Sequence, residues 1–427
     1  MKYFKKASSF LLMAALLLSG TNVANAATQT EYEDSISAQC WIDNICYDID
    51  LKNNIATFWE EKISGDTLTI PESVTYKGKK YPVTIYINNR HDAPSSKVRH
   101  IVFPDTITYF SMDTRLLPNL ESLNIPKNAK NIDAKLRSNI KVTVPADQKY
   151  YYEKNNALYS KKEPTVMCLP LAIPENYTVA DGTTKIRSFN SNRVVKKITL
   201  PKSVTAINRQ IFSECKNLEQ VDMEKTQIKN IPTSAFSVNS KLTTVKLPKQ
   251  LESIGEDAFS FNSKLTTVKL PKQLESIGED AFIFSGIKSL VFPKHLKKIG
   301  NRAFAGTKLK KVVIPDNVTY IGSVAFSGCT YLKEIVLPKK LSSVNASTFA
   351  NCKKLKKITF RNTKTAPKFV KKGTIFKGCP KGIKLYVKNK KVAKSLKKQL
   401  MKTSIKKAKI YAGKKLVYKN VTGKEKR

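Results

Sequence analysis

Residues 240–259 read Ser-Lys-Leu-Thr-Thr-Val-Lys-Leu-Pro-Lys-Gln-Leu-Glu-Ser-Ile-Gly-Glu-Asp-Ala-Phe, and residues 263–282 repeat them without a change, at an offset of 23. Self-similarity at such a period is the signature of stacked repeats. Weaker copies extend the pair in both directions. A proline follows an apolar segment at Pro201, Pro248, Pro271, Pro293, Pro315 and Pro338, in steps of 47 (two units, through Val221-Asp222-Met223), 23, 22, 22 and 23. A second signature runs below it: Ile254-Gly255 with Ala258-Phe259, Ile277-Gly278 with Ala281-Phe282, Ile299-Gly300 with Ala303-Phe304, and Ile321-Gly322 with Ala325-Phe326. Phe212, Phe236 and Phe349 continue the phenylalanine column.

Each unit has a physical reading. Val268 and Leu270 are two residues apart and share one face of a strand, with Lys269 on the other. Pro271 has no N–H to donate and ends the strand. Leu274 and Ile277 return to the core. Gly278 reads as a tight-turn residue, and Ala281-Phe282 as a short helical turn that buries the ring. A single unit is too small to bury these groups, but stacked units bury them against their neighbours. The expectation is a β-rich repeat solenoid with short helical turns. Residues 195–379 should form one continuous right-handed stack, its strands, near 198–200, 245–247, 268–270, 290–292, 312–314 and 335–337, lined up as a parallel sheet along one side and the phenylalanines in one buried column.

The unit Leu-x-x-Val-x-Leu-Pro-x-x-Leu-x-x-Ile-Gly-x-x-Ala-Phe resembles the BspA-type leucine-rich repeat of bacterial surface and secreted proteins, most clearly from Val195 to Cys379. The resemblance implies a leucine-rich-repeat-type right-handed stack with a parallel sheet, capped at both ends. It departs from ordinary leucine-rich repeats in the proline after the strand and in the absence of asparagine at the usual turn position. An asparagine ladder is therefore expected to be missing.

The remaining segments fall around this array. Residues 1–26 read as an export signal: Lys2, Lys5 and Lys6, an apolar run from Phe10 to Leu18, then Ala24-Asn25-Ala26 at the cleavage site. Thr21 stands where a lipoprotein box would need cysteine, so the mature chain should be exported and released, or held at the cell by non-covalent contacts. Residues 27–97 read as an N-terminal capping unit, with Ile45 to Ile49 and Ile55 to Phe58 as a hairpin. Residues 98–194 read as degenerate repeats with a hairpin insertion, 195–380 as regular repeats of 22–24 residues, and 381–427 as a basic C-terminal cap. In that cap Asn389 should start a helix that buries Val392, Leu396 and Leu400.

Catalytic chemistry finds little footing. His91, His100 and His295 are far apart, and the chain has no CxxC, P-loop or GxGxxG. Glu252, Glu256, Asp257 and their copies Glu275, Glu279 and Asp280 read as solvating surface residues. A non-enzymatic protein without cofactor or metal is expected. Of seven cysteines, Cys40 and Cys46 are close enough in sequence to pair, and Cys168 is isolated. Cys215, Cys329, Cys352 and Cys379 each follow a column phenylalanine by three residues, Phe376 included, and should be buried, reduced thiols.

Two surfaces remain as binding candidates. Thr199, Asp222, Lys246, Lys269, Val291, Val313, Val336 and Thr359 should point outward from the strands. Val291, Val313 and Val336 form an apolar stripe beside Lys311 and Glu334, and such a stripe can mark a contact site, although β-branched residues also simply suit strands. The second surface is electrostatic. The chain carries 76 Lys+Arg against 33 Asp+Glu, net +43, and residues 353–427 hold 28 basic residues with only Glu425 acidic. Lys397, Lys398, Lys406 and Lys407 represent this quarter, which suits anionic cell-wall polymers or acidic glycans. Nucleic acid is the weaker target, because aromatics for base stacking thin out to Tyr386, Tyr411 and Tyr418. The resemblance implies adhesion to host or bacterial surface proteins or glycans. A purely structural scaffold is the third reading.

Overall fold

Stacking converts each apolar position of the unit into a column. In the computed structural model, Phe212, Phe236, Phe259, Phe282, Phe304, Phe326, Phe349 and Phe376 are all fully buried. Consecutive rings lie 5.2–6.3 Å apart, centroid to centroid, with planes within 16° of parallel. Phe189 extends the column by one coil at 5.4 Å. The structure describes residues 37–420, apart from residues 44, 62–64, 89–96, 115–116, 136–139, 171–172, 188, 190–191, 371, 402, 404 and 406. The export signal read over residues 1–26 lies outside these.

The architecture is a solenoid with parallel sheets along its sides. At the N-terminal end, Ser37–Ile42, Ile45–Asp50 and Ile55–Glu61 pair antiparallel, and the last of these turns parallel to Lys79–Asn88. The antiparallel meander thus occupies the edge that a bare first coil would leave open. Ala157–Ser160 and Val166–Pro170 form the inserted hairpin. Two apolar clusters meet there, with Leu158 in the N-terminal one and Ala157 and Tyr159 in the other. At the far end Asn389 accepts the Val392 N–H at 2.9 Å and starts helix Lys390–Leu400. That helix buries Val392, Leu396 and Leu400.

Four local expectations need correction. First, the strand face is not one continuous sheet. It is laddered over Asn176–Thr178, Lys197–Thr199, Gln220–Asp222 and Thr244–Lys246, and again from Lys311–Val313 onward, but not at 268–270 or 290–292. In those coils the continuous ladder lies on another side, through Asn230–Ile231, Ser253–Ile254, Ser276–Ile277, Lys298–Ile299 and Tyr320–Ile321. Side-chain alternation survives the lost ladder: Val268, Leu270 and Phe292 are buried, while Val291 is 85% exposed.

Second, the conserved-looking glycine of the unit answers to crowding rather than to a turn. A Cβ on Gly278 would stand 2.7 Å from the carbonyl carbon of Gly255, and one on Gly322 2.4 Å from the Asn301 nitrogen. Neither glycine has a positive φ. Third, the Ala-Phe segment forms turns bonded between coils, not helical turns. Phe259 N–H donates to Ala281, Phe282 to Ala303 and Phe304 to Ala325, at 2.7–2.9 Å.

Fourth, a short asparagine ladder is present. Asn239 donates its amide to the Phe212 carbonyl at 2.7 Å, and Asn262 does the same to Phe236 at 2.9 Å. The Asn262 side chain also accepts the Asn239 N–H at 2.8 Å. The four cysteines occupy this same position in other coils. Their thiols donate to the carbonyls of Phe189, Phe304, Phe326 and Phe349 at 2.9–3.3 Å. Cysteine and asparagine are interchangeable here because the position needs only a small donor aimed at one buried carbonyl.

Candidate binding face

Parallel register brings residues from distant parts of the sequence into rows. On the C-terminal sheet one outward row runs Lys311, Glu334, Lys357, Lys384, Lys409. Two residues along each strand, a second row runs Val313, Val336, Thr359, Tyr386, Tyr411. Between them Val312, Ile335, Ile358, Leu385 and Ile410 point inward and are buried, so period-2 alternation sets the direction of both rows. Val313 is 41% exposed, and Val336, Tyr386 and Tyr411 are partly exposed.

The expected site residues divide among three places. Val313, Val336 and Lys311 stand together on this sheet. Val291 continues the row of Val313 on the adjoining coil, where no ladder holds it. Lys246 and Lys269 lie further toward the N-terminus, both exposed, and Lys246 is tied to Asp222 at 2.8 Å. Lys397 and Lys398 sit on the terminal helix: Lys398 is exposed, while the Lys397 ammonium rests over the Tyr418 ring, 4.5 Å from its centroid. Lys407 is exposed, and Lys406 lies outside the described residues.

Sequence reading did not place Tyr386 and Tyr411 on the face. Their rings are stacked 4.9 Å apart at 13°, and the Lys357 ammonium lies 5.1 Å from the Tyr386 centroid. The strands themselves, Lys384–Val387 and Lys409–Ala412, were legible. The steps to them, 27 and 25 residues, break the period that would have aligned the tyrosines with Val313 and Val336.

Charge is organised along the stack. Across the middle coils, bases meet acids about one coil away: Lys196 with Glu175 at 2.9 Å, Lys229 with Glu252 at 3.2 Å, Lys297 with Glu275 at 2.7 Å and Lys339 with Asp316 at 3.4 Å. Burial alone would raise the Asp222 carboxyl, but bonds from Lys246 and the Glu224 N–H hold it below its usual range. Asp280 departs from the solvating role expected of it. It is buried and receives Arg302 Nε at 2.8 Å. Burial, followed by the nearby Asp280, pushes the Asp257 carboxyl up.

A separate exposed stripe was not anticipated. Val238, Phe261 and Phe284 sit at one turn position with φ of 60°, 58° and 51°, and are 48%, 49% and 55% exposed. Gly306 and Gly328 hold the equivalent position in the next coils, with φ near 70°. Bulky residues are disfavoured in this region of φ.

Three buried cysteines, Cys40, Cys329 and Cys352, are held as neutral thiols. Burial pushes the thiols of Cys40 and Cys329 up to about 11, which keeps them protonated and unreactive. The hydrogen bond with Cys379, together with burial, raises Cys352 further. Cys379 departs from the expectation of a fully buried thiol: it is only partly buried, and the hydrogen bond with Cys352 lowers it from its ordinary value. The suggested Cys40–Cys46 bridge is not formed, since the Cys40 thiol is free. In this hairpin Cys40 faces Tyr47 and Cys46 faces Trp41, so the two side chains leave opposite faces of the sheet.

Among the described residues, no group of three or more His, Cys, Asp or Glu is arranged to hold a metal ion, and no helix is long and apolar enough to cross a membrane. A family model described as a BspA type leucine rich repeat region matches residues 183–309, 261–382 and 297–420, with six copies. The pneumococcal vaccine antigen PcpA is a similar solved structure, 18% identical, with 88% of this chain and 98% of that one covered and a TM-score of 0.47. A leucine-rich repeat protein of Bacteroides ovatus is 21% identical, with 90% and 81% covered and a TM-score of 0.38. A leucine rich cell surface protein of Faecalibacterium prausnitzii is 17% identical, with 82% and 95% covered and a TM-score of 0.36. No curated protein matches the chain.

Proposed function

This chain belongs to the BspA-type leucine-rich-repeat family, and from that premise we propose that it is an exported, non-enzymatic binding protein whose strand face engages proteins or glycans at a cell surface. The observation that carries the reading is the outward row of the C-terminal sheet, Val313, Val336, Thr359, Tyr386 and Tyr411 in unbroken register. The sheet sets these residues side by side at the spacing of neighbouring strands. A preorganised, partly apolar surface loses little conformational entropy when a partner docks.

The test is binding of the mature chain to host matrix proteins, mucin and purified wall polymer at two salt concentrations. Val313→Lys with Val336→Lys places charge in the middle of the row, and should weaken binding at least about tenfold with little dependence on salt. Unchanged binding of the double variant would remove the strand face from consideration.

A second reading is favoured by one observation, the exposure of Lys398 and Lys407 in a C-terminal quarter rich in lysine. Here charge alone retains the protein on an anionic wall. Screening shortens from about 8 Å at physiological salt to about 3 Å at 1 M, so high salt should strip the protein from cells. Replacing Lys397, Lys398, Lys406 and Lys407 by Gln should do the same. Retention of that variant in low salt would eliminate this reading.

A further inference from the structure

The strand face changes character after Glu334, the last acidic residue before Glu425. Lys357 pairs in register with Lys384, and Lys384 with Lys409. Neighbouring strands are about 4.8 Å apart, and like charges placed directly opposite one another destabilise a sheet. Among the described residues, none of these three lysines forms an ion pair with a carboxylate. Elsewhere the stack answers a base with an acid from a nearby coil, as with Lys246 and Asp222 or Lys297 and Glu275. Here the repulsion is left standing, on an open face.

The aromatic row beside it narrows the choice of partner. Tyr386 has Lys357 on the strand before it and Tyr411 on the strand after it, the first at 5.1 Å and the second stacked at 4.9 Å. The cross-strand partner of Tyr411 on its far side is Leu416. Both faces of Tyr386 are therefore occupied. A single-stranded nucleic acid needs free ring faces on which its bases can stack. What remains for a ligand is a row of ammonium groups alongside ring edges carrying hydroxyls. That combination offers charge-assisted hydrogen bonds to carboxylates and neutral ones to sugar hydroxyls.

We propose that this end of the strand face is a subsite for a linear acidic polysaccharide built of uronic-acid sugars. The chain runs along the stack, across the strands. Its carboxylates meet the ammonium row of Lys357, Lys384 and Lys409, while sugar hydroxyls meet the Tyr386 and Tyr411 hydroxyls. A pyranose linked through C1 and C4 spans about one strand spacing, and in an extended two-fold chain alternate carboxylates share a side, so carboxylates two sugars apart meet Lys357 and Lys409, two strands apart. The polyanion also relieves the repulsion within the lysine row. The inference rests on the strand-face reading above and gives that face a ligand class at one end.

The experiment measures binding of the full mature chain to polygalacturonate, with dextran and an oligothymidylate as comparisons. Polygalacturonate should bind, dextran should not, and the oligothymidylate should bind at least about tenfold more weakly than polygalacturonate. Lys357→Gln/Lys384→Gln/Lys409→Gln should lose polygalacturonate affinity by about tenfold or more. Lys264→Gln/Lys272→Gln, exposed lysines of a middle coil, should stay within about twofold. Tyr386→Phe/Tyr411→Phe keeps the stacked rings and removes only the hydroxyls. It should lose about three- to tenfold, and it carries the test if circular dichroism shows the lysine variant misfolded.

Failure of polygalacturonate to bind overturns the proposal. So does equal loss in the Lys264→Gln/Lys272→Gln variant, which would mean diffuse charge, or equally tight oligothymidylate binding through the same lysines. The two readings fail separately. If Val313→Lys with Val336→Lys abolishes binding to mucin or matrix protein while polygalacturonate never binds, only the subsite falls. If that double variant changes nothing while the lysine row still governs polygalacturonate binding, only the wider face falls.

Discussion

Between Glu175 and Glu334, basic side chains of one coil reach acidic ones about a coil away: Lys196 to Glu175, Lys246 to Asp222, Lys297 to Glu275, Lys311 to Glu334. Between Lys357 and Lys409 the same rows set lysine beside lysine. Beneath both surfaces runs one phenylalanine column, buried equally at Phe282 and at Phe376. The stack is therefore specified from inside, where burying a ring stabilises by kilocalories. Exposed ion pairs contribute about 0–1 kcal/mol each, so a surface can depart from charge balance at little cost to the fold. That freedom leaves the C-terminal coils open to selection for binding.

The largest expected effect tests the shared core. Phe282→Ala and Phe376→Ala should each cost about 3–5 kcal/mol, read from urea unfolding. If Phe376→Ala proves several-fold cheaper, the two regions do not share one core and the comparison breaks. Next comes the crowded glycine. Gly278→Ala puts a Cβ 2.7 Å from neighbouring backbone and should cost about 1–3 kcal/mol. Gly373→Ala meets nothing within 4 Å, and thermal unfolding should show no loss.

Charge effects are smaller and sharpen the contrast. Lys384→Glu would make its row resemble Lys311–Glu334, and should stabilise by about 0.2–1 kcal/mol. Glu334→Lys should destabilise by a similar amount. Both effects should fade in 1 M salt, where screening acts over about 3 Å. A Lys384→Glu protein less stable than its parent would show that the lysine row is not repulsive.

Acidification should act on the balanced region and not on the lysine row, which has no carboxylates. The carboxyls of Asp222 and Asp316 are held below their ordinary value of 3.8; at each, burial opposes the shift and is outweighed by hydrogen bonds, from Lys246 and the Glu224 N–H at Asp222 and from Lys339 and Arg361 at Asp316. Their folded-state values lie below the unfolded one, so their stabilisation is complete above the ordinary value and is lost as pH falls through the folded value. The unfolding temperature should therefore drop below about pH 4. Asp222→Asn/Asp316→Asn should flatten that drop, and an unchanged slope would assign it to other groups.

Much of this molecule was legible before its structure. The duplicated unit announced the period, the Phe282 column and the alternation of Val268, Lys269 and Leu270. Asn389 and its helix were legible because capping and 3.6-residue periodicity are local signals. The ladder position was misjudged because Asn239, Asn262 and Cys215 do not look alike as letters. They become equivalent only when each faces the carbonyl of a phenylalanine one coil below. Gly278 was assigned the wrong cause for a similar reason, since its crowding comes from Gly255 on the neighbouring coil.

The sequence by itself determined that this chain stacks, with what period, and which side chains are interior. Those properties are set within one unit, by alternation and by apolar groups that a single unit has no means to bury. Tertiary structure alone decided which side of each coil carries the hydrogen-bonded ladder, because that depends on how neighbouring coils settle against each other. It also decided that Lys357, Tyr386 and Tyr411 share one surface. They are separated by connections of irregular length, and only the register of neighbouring strands brings them side by side.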